Sequence, residues 1–254
     1  MTYALASLAL WALLQWTNPE TLSPDGQYYL MQKDRPRPYG GRWLLPLLLG
    51  QRVRLWRYVG GGATLGTALL LGSAGPLWLG LASTRTNTRL PVLTDQVGIL
   101  CVALAVVTGD WRWALLGGAV NEKAPVFIAA LLLQPLALLG LLVWFPAFYL
   151  SRKADAGDPD WLFEPFKTAR GKIEESLNPQ MLLFPWGGAV VGLLGVPILA
   201  VALAYGQLVL ALDRARLYQW IGPAVCLAAV RLVPADFYLA LLLVTWANPY
   251  RRVL

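Results

Sequence analysis

Apolar positions along this chain come in long runs and do not alternate. The runs cover residues 3–16, 58–81, 91–107, 124–150, 182–212, 217–230 and 237–246, with a half-length run at 111–120. Most approach the roughly 20 residues needed to cross a bilayer core. Unbroken Leu, Ala, Val and Gly without period-2 alternation predicts helices over barrel strands. The pattern therefore predicts an all-α, polytopic transmembrane helical bundle of seven to nine membrane segments, forming one integral domain over residues 1–254. Residues 3–16 lack a basic leader and a cleavage site, so they read as a retained, tilted first span. Glycines in 58–81 (Gly60, Gly61, Gly62, Gly66, Gly72) predict close helix packing. Pro197 is expected to divide 182–212.

The polar stretches between the runs carry their own signals. Pro24-Asp25-Gly26 starts a short helix through Tyr28, Tyr29 and Met31, which Arg35-Pro36-Arg37-Pro38 ends. Arg42-Trp43-Leu44-Leu45-Pro46 starts a second. Both are expected to lie at a membrane surface, with Trp and Tyr at head-group depth. Residues 84–89 read as a short basic loop. Residues 151–180 read as a second polar loop with one amphipathic piece.

Composition sharpens this picture. Of the 254 residues, 57% are hydrophobic and 14% charged, against about 25% charged in an ordinary water-soluble domain. The formal net charge is +7. Membrane lipids with anionic head groups and lipid-linked phosphates are the expected partners, and a bacterial inner membrane is the expected location. No nucleic-acid partner is expected, because no basic stripe is interleaved with stacking aromatics. The chain has no histidine, which removes the usual general base and the commonest metal ligand. Cys101 and Cys226 stand alone in apolar runs and read as small buried hydrophobes. Neither a metal nor another cofactor is expected.

Ionisable groups within apolar runs mark four places. Asp25 is either a helix N-cap or a catalytic acid. Asp95 is either a cap or a cavity wall. Glu122-Lys123 follows a run of only ten residues, about 15 Å of helix, and is either a plain loop or the lining of a polar cavity within the membrane thickness. Asp213, Arg214 and Arg216 are either a self-neutralising helix end or a phosphate-binding cluster. One carboxylate base with several Arg and Lys and no His suits transfer from a phosphate-bearing donor, since Arg grips phosphate through its planar fork. There is no Walker loop and no dinucleotide fingerprint.

The order of these features resembles the multi-span glycosyltransferases of the C superfold, in their small uncharacterised bacterial form. The residues that carry the likeness are Asp25-Gly26-Gln27-Tyr28-Tyr29, Arg42-Trp43-Leu44-Leu45-Pro46, Asn121-Glu122-Lys123-Ala124-Pro125 and Asp213-Arg214-Ala215-Arg216. The chain departs from that family in its small size, in lacking a soluble C-terminal domain, and in having no second acid beside Asp25. The resemblance implies a polyprenyl-phosphate-linked sugar donor and transfer to an acceptor hydroxyl at the external face. Asp25 would act as general base, and Arg42, Asp95, Glu122, Lys123, Asp213 and Arg216 would bind substrate. It also implies that Asp25 and Asp160 lie outside and Arg85 in the cytoplasm. The seven Lys and Arg residues between 33 and 57 pull the other way under the positive-inside rule. The competing expectation is a transporter or non-catalytic lipid-binding scaffold, with Asp95, Glu122 and Asp213 along a permeation path.

Overall fold

Proline and glycine set several of the helix ends in this protein. The computed structural model describes residues 2–17, 24–30, 41–90, 92–150, 183–210 and 218–248, and every regular element among them is helical. In chain order the α-helices are α1 (Thr2–Thr17), α2 (Pro24–Leu30), α3 (Leu44–Leu49), α4 (Val53–Leu70), α5 (Gly75–Gly80), α6 (Ala82–Asn87), α7 (Asp95–Thr108), α8 (Trp113–Val120), α9 (Lys123–Leu132), α10 (Leu141–Leu150), α11 (Ile198–Leu210), α12 (Gly222–Leu232) and α13 (Tyr238–Trp246). Tighter 3-10 segments at Pro135–Gly140 and Phe184–Gly195 join some of them.

Several apolar stretches end or break at a residue whose backbone cannot continue a helix, while the first run stays whole as α1. The residue before a proline is driven out of the α region by the ring. Gln134, Val196 and Val233, which precede Pro135, Pro197 and Pro234, are all extended. The run at 124–150 thereby becomes α9, a 3-10 turn and α10. Its first break is reinforced at Leu133, which takes the left-handed conformation at φ 54°, a strained choice for a residue with a side chain. Helix α7 stops at Gly109, also left-handed, whose N–H closes onto the Ala105 carbonyl at 2.8 Å.

These breaks overturn the predicted transmembrane bundle. Among the described residues no helix is long and apolar enough to cross a membrane. The longest of them, α4, has 18 residues and carries Arg54 and Arg57 in its first two turns. It reaches about 27 Å, short of a hydrocarbon core roughly 30 Å thick. The seven to nine membrane segments, the integral domain and the inner-membrane location all rested on the runs being continuous, and none of them stands. Three finer expectations change with them. Helices α2 and α3 each bury one side, Tyr29 in α2 and Leu45 and Pro46 in α3, while α3 keeps Leu47 and Leu48 exposed. Residues 84–89 are not a basic loop: they fall largely within α6, and Thr84 is buried. Arg85 donates to the Trp246 and Asn248 carbonyls at 3.3 and 2.9 Å, where a cation favours the C-terminal end of α13. Residues 151–182, with Asp160 and the amphipathic piece, lie outside the described residues.

Helix α7 is the axis of the fold, packed by α4, α8, α9 and α12. Its buried Ile99 and Val102 join Phe127 and Ile128 of α9, Trp220, and Val225 and Ala229 of α12 in the main core. Trp220 stacks on Phe127 with ring centroids 6.1 Å apart and presses against Gly98, where a Cβ would stand 2.7 Å from the indole. A second, smaller cluster gathers Tyr29, Leu45, Trp56, Val92, Leu93 and Val120. It forms an apolar wall beside the polar side chains described below.

Two substitutions test the role of backbone proximity and conformation. A Cβ at Gly118 would land on the Gly140 carbonyl, so Gly118→Ala is expected to lower stability by about 1–3 kcal/mol through overpacking. Leu133 is 65% exposed and left-handed, so Leu133→Gly is expected to raise stability by about 1 kcal/mol. Denaturant unfolding of the two variants beside wild type checks both signs.

Candidate functional site

Three charged residues far apart in sequence meet in one buried polar chain. Arg42 lies between α2 and α3, Asp95 opens α7, and Glu122 occupies the step between α8 and α9; each is less than 8% exposed. The step exists because α8 ends at Asn121 in an extended conformation before α9 begins at Lys123. Arg42 meets Glu122 side-on in a bidentate pair, with Nε donating to Oε2 at 2.7 Å and Nη2 donating to Oε1. This is the geometry in which guanidinium and carboxylate bind most tightly. The third donor, Nη1, reaches the Tyr29 hydroxyl at 2.5 Å.

From Tyr29 the chain of hydrogen bonds continues. Its oxygen accepts from Arg42, so its proton is available to Thr94 Oγ1, 3.3 Å away. Asn121 Nδ2 donates to Thr94 Oγ1 at 3.1 Å and to Asp95 Oδ1 at 2.9 Å, while its Oδ1 accepts the Lys123 backbone N–H. Gln219 Nε2 donates to Asp95 Oδ2 at 3.1 Å. Asp95 is thus not a helix cap: both its oxygens are taken by side chains from other parts of the chain. Gly41, next to Arg42, leaves room for the Trp144 indole, which a Cβ there would strike.

Burial disfavours the charge on both partners of the central pair, and each charge offsets that cost for the other. Desolvation works to lower the Arg42 value, but Glu122, with Tyr29 and Asp95 near, holds the guanidinium above its usual range. Burial likewise works to raise the Glu122 carboxyl, yet Arg42 and then Lys123 hold it below its ordinary value. Both groups are ionised at neutral pH. Lys123 is half-buried and adds a second positive charge near the buried Glu122 carboxylate.

The candidate residues therefore separate into groups. Arg42, Asp95, Glu122 and Lys123 are brought together. Asp25 is the second residue of α2, four positions before Tyr29. Asp213 and Arg216 lie outside the described residues. Glu122 does not face an open polar cavity within a membrane thickness, as expected from its place after a short helix; it faces Arg42. Tyr29, Thr94, Asn121 and Gln219 complete the network and were not singled out from sequence. Tyr29 and Asn121 stand inside the quoted motifs, while Gln219 carries no sequence signal. Among the described residues no group of three or more His, Cys, Asp and Glu is assembled that would hold a metal ion.

Removing one member of the central pair is expected to cost more than removing both. Arg42→Met leaves Glu122 charged in an apolar wall and is expected to lose about 3–5 kcal/mol, whereas Arg42→Met combined with Glu122→Leu recovers most of it. The folded carboxyl value lies below the unfolded one. The pair's contribution is therefore complete above the ordinary glutamate range and fades as pH falls through the folded value. Urea unfolding across pH 7 to pH 3 is expected to show a steeper acid loss in wild type than in the double variant.

Comparison with known proteins yields no relative. No family model, no curated protein and no solved structure matches this chain.

Proposed function

We propose that the chain is a transferase that moves the sugar of a polyprenyl-phosphate-linked donor to an acceptor hydroxyl, with Asp25 as general base. The observation that supports this best is the anchoring of α2. Seven residues are too few to form a stable helix alone, yet this helix carries Tyr29, fully buried, hydrogen-bonded to Arg42 and stacked on Trp56 with ring centroids 5.8 Å apart. An acid on so short a helix gains a defined position only through such a tether, and a defined position is what general-base catalysis needs.

In this reading Arg42 is a positioning residue, because its fork is engaged by Glu122 and Tyr29. The charge facing the donor phosphate comes from Arg52 and Arg54, both exposed at the start of α4. That end of a helix already favours anions. Beside them α3 turns Leu47 and Leu48 outward, 71% and 64% exposed, a ledge suited to the first isoprene units. Asp25 takes the proton of the acceptor hydroxyl as its oxygen attacks the anomeric carbon. The bond from that carbon to the phosphate oxygen breaks, and the phosphate leaves with the electron pair.

The test is transfer by purified full-length protein from a series of polyprenyl-phosphate sugars to alcohol acceptors. Asn caps helices about as well as Asp, so Asp25→Asn is expected to fold normally and bind donor normally. Loss of the base is expected to slow transfer about 10²- to 10⁴-fold. Arg52→Ala with Arg54→Ala is expected to raise the KM for donor and leave kcat closer to wild type. Equal rates for wild type and Asp25→Asn, or no transfer by wild type across the donor series, would overturn the assignment.

A further inference from the structure

At the end of the fold opposite the polar chain lies an apolar groove with one cation in its wall. It is an open cleft of about 380 Å³ between the C-terminal ends of α4, α7 and α9, the break before α11, and α12. Eleven of its twelve lining residues carry no polar side chain, among them Leu70, Val106, Val107, Leu131 and Pro197; the twelfth is Arg231. The groove is built by the same breaks that shorten the helices. Helix α7 stops at Gly109, α9 stops at Leu133, and Pro197 parts the chain before α11. Val106 is eleven residues beyond Asp95 on α7, about 16 Å along the axis, so this groove is separate from the site around Arg42.

Arg231 is exposed, and its side chain makes no ion pair and no hydrogen bond among the described residues. Its place in the last turn of α12 gives it a favourable interaction with the helix end, but that interaction does not require an apolar groove beside it. We propose that this groove binds a free, single-chain amphiphile with an anionic head, the chain lying against Val106, Leu131 and Pro197 and the head pairing with Arg231. The volume sits at the small end of ligand sites, roughly 300–1,000 Å³, which suits one alkyl chain and not two. The charge selects the head: a neutral head leaves the guanidinium unused, and a cationic head is repelled.

The probe is dodecyl phosphate with a photoreactive diazirine in its tail, used as monomer without vesicles on the full-length protein. The same chain bearing a trimethylammonium head serves as comparison, and labelled peptides are located by mass spectrometry. The phosphate probe is expected to label residues 106–107, 131, 196–197 and 227–232, and the ammonium probe to label them weakly. Arg231→Gln is expected to lower the apparent affinity of the phosphate probe about five-fold, in line with a solvent-exposed ion pair, while Arg231→Lys retains it. Val107 is 44% exposed at the rim, so Val107→Trp fills the mouth without disturbing the core and is expected to abolish labelling there by both probes. Labelling spread evenly over the exposed apolar surface, equal labelling by the two heads, or an Arg231→Gln variant that labels like wild type would each overturn the proposal.

Discussion

The bidentate contact between Arg42 and Glu122 is the constraint on which the polar half of this fold depends. Two full charges have been taken from water, and neither is tolerable without the other. Once they meet, the segment before α3 is fastened to the step between α8 and α9, 80 residues away in sequence. Tyr29 then finds its donor, Thr94 and Asn121 find each other, and Asp95 receives two amide donors. The ring of Leu45, Trp56, Leu93 and Val120 keeps water from competing with these bonds. Low polarity strengthens every satisfied bond in such a network and makes every missing one costly.

The helical character of the chain was legible in its sequence, and so were the three charges that matter most. Arg42, Asp95 and Glu122 stood out because ionisable residues among so many leucines and alanines need a reason. Their meeting was not legible, since a pairing across 80 positions leaves no local signature. The neutral members were harder still. Gln219 and Thr94 differ little from any polar residue at a helix start until Asp95 and Asn121 are placed beside them. The reading of the apolar runs failed for a different reason. The breaks at Pro197 and near Pro234 were expected, but Pro135 lay within a run read as one span, where hydrophobicity summed over a window outweighed its effect on Gln134.

Those prolines link the two sites. A continuous helix from Lys123 onward would carry its apolar face past the ends of α4 and α7 and leave no room between them. The breaks at Gln134 and Val196 instead end the helices together, and the space left at that end is the groove beside Arg231. The step at Asn121 does the same at the other end, turning the chain so that Glu122 points inward. Helix termination thus shapes both the buried polar chain around Arg42 and the groove beside Arg231.

The ties between α13 and the region around α5 and α6 bear on how the chain is assembled. Tyr238 bonds the Ser73 carbonyl, Trp246 bonds that of Pro76, and Arg85 reaches Trp246 and Asn248, across separations of 161 to 170 residues. A ribosome adding 5–20 residues per second leaves Ser73, Pro76 and Arg85 without these partners for roughly 8 to 34 s. Throughout that interval Trp78, Leu79 and their neighbours have a surface still uncovered. Among the described residues α13 closes loops of more than 160 residues, so the surface around Trp78 and Leu79 depends on protection from aggregation until α13 has been made.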